Sequence, residues 1–208
     1  FIRSGQAERV LLVGGEVHST GLDISTPGRD VSVIFGDGAA AVCVEAMERD
    51  DAVGLLASVL HARGELAESL MVEAPASRFN PRISAEMMAE RRHFPVMDGK
   101  AIFKQAVRSL PEVTGEVLQS AGLSLADIDL IIPHQANMRI NQLYQKALDV
   151  PDEKVFHNIQ RYGNTTAASI PLALDEAFEL GVIGKDSTVM FVGLGSGLTW
   201  GANIHRFI

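Results

Sequence analysis

The chain is expected to fold as layered α/β structure, and three features of its 208 residues carry that expectation. Short apolar runs closed by Gly or Pro recur along it, at residues 10–13, 130–132 and 189–192, and such runs suit strands buried on both faces. In the second half these runs alternate with stretches whose apolar residues fall three and four apart, the spacing of a helix with one buried side; a mainly parallel sheet follows from that alternation. Finally, 47% of the residues are hydrophobic against 21% charged, a composition that buries a core instead of remaining disordered. The length suits one large domain or two small ones.

Taken in order, residues 9–15 read as a buried strand stopped by Gly14 and Gly15. Residues 31–35 and 39–44 read as two β-rich runs around Gly36-Asp37-Gly38, whose glycines permit a tight break. Residues 53–60 fit strand or helix. Residues 73–95, broken by Pro75, Pro81 and Pro95, read as an irregular excursion with a helical turn or two. From 99 to 123, Phe103, Ala106, Val107, Leu110, Val113, Val117 and Leu118 mark one helical face, with Pro111 expected to kink or split it. Ser124 starts a short helix, 129–133 form a strand closed by Pro133, and Asn137 caps a helix to about Leu148. A short strand at 155–159, a helix at 165–180 ended by Gly181, and a strand pair at 189–192 and 199–207 complete the chain.

Charge and composition exclude several roles. With 18 Lys+Arg against 26 Asp+Glu the formal charge is −8, which argues against a broad nucleic-acid surface. No run approaches the roughly 20 apolar residues that span a bilayer. The single cysteine, Cys43, excludes an internal disulfide and a multi-thiolate zinc site, and it fits a reducing, cytoplasmic compartment. Its apolar neighbours Val42 and Val44 place it in the core. His18, His61, His93, His157 and His205 lack metal-ligand spacing, so no metal is expected.

Three turns carry chemistry. Pro133-His134-Gln135-Ala136-Asn137 stands where a strand ends and a helix begins, the position at which open α/β sheets bind ligands. Arg161-Tyr162-Gly163-Asn164-Thr165-Thr166 is a second such turn, in which Asn164 or Thr165 could equally serve as a helix cap. Gly193-Leu194-Gly195-Ser196-Gly197-Leu198-Thr199-Trp200-Gly201 is glycine-rich, yet too few residues follow it for a dinucleotide fold. Close backbone approach to a ligand, with N–H groups facing developing negative charge, remains.

Together these turns resemble the β-ketoacyl-acyl-carrier-protein synthase III family of thiolase-fold condensing enzymes. The matching motifs are Phe35-Gly36-Asp37-Gly38-Ala39, then Pro133-His134-Gln135-Ala136-Asn137 with Arg139, then Gly163-Asn164-Thr165 and the Thr199-Trp200-Gly201 ending. The resemblance implies a layered αβαβα fold with an incomplete first half and a complete second half: residues 1–95 as remnant and connecting loop, residues 96–208 as the C-terminal half. The family's nucleophilic cysteine would align about a dozen residues before Phe1, so the chain resembles the C-terminal two-thirds of a synthase and is expected to be inactive alone.

Resemblance also implies roles. His134 and Asn164 would hold the thioester oxygen as malonyl loses CO₂, each from a helix start whose dipole favours a neutral imidazole. The backbone N–H of Ser196 would serve the acyl-transfer intermediate. Leu194 would line the acyl tunnel, Gly195 would belong with it to the substrate- and coenzyme A-binding set, Arg29 would contact the adenine end of coenzyme A, and Arg139 would meet an acidic acyl carrier protein. The 73–95 excursion exceeds what a minimal member requires, which points to its own acyl specificity. Substrates are coenzyme A thioesters and acyl carrier protein, with no separate cofactor; a cytoplasmic homodimer is expected. Two alternatives are an acyltransferase of the same fold that does not decarboxylate, and a non-catalytic, Cys-less partner subunit.

Overall fold

A computed structural model describes residues 1–47 and 53–208. In chain order it contains β1 (Arg9–Glu16), α1 (Arg29–Ser32), β2 (Gly38–Glu45), β3 (Gly54–Ala62), β4 (Leu70–Val72), α2 (Ala85–Ala89), β5 (Pro95–Met97), α3 (Gly99–Ala121), β6 (Leu130–Pro133), α4 (Met138–Leu148), α5 (Ile159–Tyr162), α6 (Ser169–Glu179), β7 (Thr188–Gly195) and β8 (Thr199–Arg206).

The central sheet has the order β3-β8-β7-β6. Helices α3 and α4 cover one face, where Leu110, Val113, Val117, Ile131, Tyr144, Met190 and Ile204 form the larger apolar core. Tyr144 is fully enclosed there, and its hydroxyl shares a 2.7 Å hydrogen bond with Thr114. On the opposite face, Ala173 and Ala177 of α6 pack on Leu130, Ile132 and Val189. The far side of α6, with the turn Thr166–Ala168, meets the two-stranded antiparallel sheet β1-β2. The layers therefore run helix, sheet, helix, sheet. Strand β3, on the N-terminal side of residue 95, pairs with β8, so the central sheet draws strands from both sides of that position. No helix among the described residues is long and apolar enough to cross a membrane.

Several expectations need correction. The central sheet is mixed: β6 and β7 are parallel, whereas β7-β8 and β3-β8 are antiparallel. The three residues between β7 and β8 are too few for a crossover helix, and a hairpin is what remains. Residues 31–35 do not form a strand. A helical turn at Thr26–Gly28, with Pro27 in it, runs into α1, and only Phe35 bridges to another segment, at Asn164. At 155–159 only Val155 bridges β6. The N–H groups of Asn158 and Ile159 donate to the Gln135 side chain, which turns the backbone into α5. Pro111 does not split α3, since Leu110, Val113 and Val117 on either side are locked into the core.

Cys43 is exposed, not core. Burial alternates along β2, and only one face of the β1-β2 sheet is covered by α6. Cys43 stands on the other face opposite Leu11, with Val13 also outward and 71% exposed. Apolar neighbours in sequence do not reveal which face of a strand is covered.

Candidate active site

His134 follows directly on β6. Its N–H donates to the Val192 carbonyl at 2.7 Å, extending the parallel ladder by one rung. Gly193 lies alongside, where an added Cβ would stand 3.4 Å from the His134 Cβ, at ordinary contact distance. The ring Nδ1 lies 2.6 Å from the Ser169 Oγ at the start of α6. Burial pushes the imidazole down to about 4, so it is neutral near pH 7. Desolvation is the cause of this shift; α4 begins only at Met138, four residues after His134, and the helix whose start the ring meets is α6.

Gln135 braces the turn from behind. Its Nε2 donates to the carbonyls of Pro133 (2.7 Å) and Phe156 (3.3 Å), while its Oε1 accepts from Asn158 and Ile159. Four bonds on one enclosed amide tie the His134 turn to the segment leading to Asn164. Asn137 caps α4 by accepting from the Arg139 N–H at 2.9 Å.

Asn164 is held by its backbone. Its N–H donates to the Ile34 carbonyl at 2.9 Å, and its carbonyl accepts from Gly36 N–H at 3.0 Å. Gly36 is required here, because a Cβ would fall 2.0 Å from the Tyr162 carbonyl oxygen. The Phe35-Gly36-Asp37-Gly38 motif thus seats Asn164. Asp37 anchors its own end of the motif by accepting from the Ser19 N–H and hydroxyl, bonds that hold its carboxyl below the usual range. The Asn164 Oδ1 accepts from Thr166 N–H at 2.9 Å, and among the described residues the amide NH₂ has no hydrogen-bond partner.

Both side chains border one cavity of about 1140 Å³. Leu194, Gly195 and Ser196, from the β7-β8 turn, line it too, and its apolar wall includes Leu70, Met71, Met97, Phe103 and Ile140. The 73–95 excursion is closed at its base by β4 and β5, whose Leu70, Met71 and Met97 thereby reach the site. The structure brings together His134, Asn164, Leu194, Gly195 and Ser196. Arg29 and Arg139 are exposed and lie outside the lining; Arg29 faces Asp30 at 3.8 Å. Cys43 does not line the cavity either. Sequence reasoning missed Ser169 and the brace made by Gln135. Ser169 reads as an ordinary helix-start residue, and its distance of 35 positions from His134 hides the contact.

Residues 1–64 match the family model described as 3-oxoacyl-[acyl-carrier-protein (ACP)] synthase III, and residues 118–207 match the model of its C-terminal part. The β-ketoacyl-[acyl-carrier-protein] synthase III of Aquifex aeolicus is 42% identical over 207 residues, covering 100% of this chain and 60% of that protein. That of Roseiflexus castenholzii is 41% identical, again over all of this chain and 61% of the relative. The solved synthase III of Thermus thermophilus superposes with a TM-score of 0.88 at 38% identity, covering all of this chain and 61% of that one. The chain therefore spans about three fifths of the length of these relatives. Its layered fold is the thiolase-like fold of these structures, and with both models matched in order the chain belongs to the 3-oxoacyl-[acyl-carrier-protein] synthase III family.

Proposed function

We propose that this chain carries the decarboxylating half of a condensing site, in a protein that joins an acyl-CoA primer to malonyl-acyl-carrier-protein. The observation that supports it most is shared by His134 and Asn164: each has one polar side-chain atom held by a hydrogen bond, to Ser169 or to Thr166, and each borders the same cavity. In the proposed reaction the bond between the malonyl α-carbon and its carboxylate breaks and CO₂ leaves. The electron pair moves into the thioester, whose oxygen becomes an enolate. Two N–H donors aimed at that oxygen bind charge present only in the transition state and so accelerate the step. The enolate carbon then attacks the primer thioester carbonyl and displaces its thiolate.

A neutral His134 suits this role, because it donates through one nitrogen without adding a proton to the enolate. The backbone N–H of Ser196 is proposed to serve the primer's tetrahedral intermediate. Leu194, on the cavity wall, is proposed to bound the acyl chain, and Gly195 beside it to contact the bound thioester. This chain by itself is proposed to be unable to form an acyl-enzyme, since Cys43 is its one thiol and stands on the outer face of β2. Arg139 for carrier-protein docking, Arg29 for the adenine end of coenzyme A, and a cytoplasmic homodimer complete the reading. Family resemblance supports these parts, and the lone free thiol supports the compartment.

In the full-length protein, His134→Ala and Asn164→Ala should each slow malonyl decarboxylation by about 10²–10³, with primer acylation persisting at a reduced rate. The paired losses should be less than additive. Decarboxylation that survives both substitutions while acylation vanishes would refute the reading and favour acyl transfer without decarboxylation.

A further inference from the structure

Ser169 opens α6, is 2% exposed, and contacts two consecutive residues of the site. Its Oγ stands 2.6 Å from the His134 Nδ1 and 3.4 Å from the Gln135 backbone N. A backbone N–H can only donate, so at Gln135 the Ser169 oxygen is the acceptor. The hydroxyl hydrogen then has Nδ1 as its partner. A neutral imidazole that accepts at Nδ1 carries its proton on Nε2. The opposite tautomer would have Oγ accept from two N–H groups and would turn the hydroxyl hydrogen away from the ring, within a nearly enclosed position.

We propose that Ser169 is a positioning residue for His134: its hydroxyl donates to Nδ1, fixes the ring as the Nε2–H tautomer and leaves that N–H for the thioester oxygen. The last step rests on the function proposed above; the tautomer assignment does not. The backbone of His134 is held independently, by the Val192 carbonyl at its N–H and by Asn141 Nδ2, 3.4 Å from its carbonyl. Ring orientation is therefore the degree of freedom left for Ser169 to settle. Because α6 also packs on β2, the same hydroxyl ties the imidazole to the layer between the two sheets.

The tautomer is read directly from long-range ¹⁵N–¹H correlation spectra of the uniformly ¹⁵N-labelled chain, with His134→Gln identifying the His134 signals among the six histidines. Wild type should show an unprotonated Nδ1 and a protonated Nε2 near neutral pH. In Ser169→Ala the two nitrogen shifts should move toward each other as both tautomers become populated, and Ser169→Thr, which keeps the hydroxyl, should restore the separation. A wild-type ring protonated at Nδ1 overturns the proposal whether or not any variant folds. So do unchanged ring shifts in a folded Ser169→Ala. In the full-length protein, Ser169→Ala should lower the decarboxylation kcat by about 10- to 100-fold, the scale seen when a partner that orients a metal-bound histidine is removed, and should slow primer acylation much less. Should the tautomer prove as stated but decarboxylation survive His134→Ala, the contact would stand and the functional reading would fall.

Discussion

His134 is partly buried and its ring has a single side-chain hydrogen-bond partner among the described residues, and this has a thermodynamic consequence. Its value falls from 6.5 to about 4 on burial, so between these pH values the unfolded chain binds the proton and the folded chain does not. The stability contributed by the neutral ring is full above about pH 6.5 and is lost as pH falls toward 4, by about 3 kcal/mol at most. His157 and His205 are lowered by burial as well and act with the same sign. Denaturant unfolding from pH 7 to pH 4.5 should therefore show a loss that is smaller in His134→Gln. Decarboxylation by the full-length protein should lack an acid limb near pH 6.5. Cys43 yields a second expectation: exposed on β2, it should react with a thiol reagent in the native chain about as fast as in the unfolded one. His134 and Asn164 were legible because motif and turn coincide. The burial state of Cys43 was not, because a period of two names two faces without saying which one is covered.

Elements with a strong helical period were legible in outline. Helix α3 was visible in Phe103, Ala106, Leu110, Val113 and Val117, and α4 and α6 were bounded by Asn137 and Gly181. Segments whose shape depends on a distant partner were not: residues 155–159 look like a strand until the Gln135 amide captures two of their N–H groups. Gly36 shows how strict such a partnership can be. Gly36→Ala forces a Cβ onto the Tyr162 carbonyl, and it should destabilise the fold by roughly 1–3 kcal/mol and displace Asn164, measured as a lower denaturation midpoint together with weaker decarboxylation. Arg139, exposed on α4 just after its cap, belongs to this scale too. In the full-length protein Arg139→Glu should impair turnover of carrier-bound malonyl far more than of a small malonyl thioester, and the difference should shrink as salt rises. Equal impairment of both substrates would make Arg139 structural.

For the whole molecule, layering was legible from composition and alternation, but strand direction was not. Only the three-residue link between β7 and β8 reveals that the sheet doubles back on itself. The relation of the two sheets was invisible as well, because it depends on α6 and on a main-chain bridge between Phe35 and Asn164. That bridge puts a proposed reactive group on the seam. The amide protons of Asn164 and Gly36 are both committed across it, so deuterium can replace them only when the seam parts. Their protection measures the cohesion of the two sheets. A thioester that grips the Asn164 side chain would slow both exchanges, turning occupancy of the cavity into an isotope clock that runs without turnover.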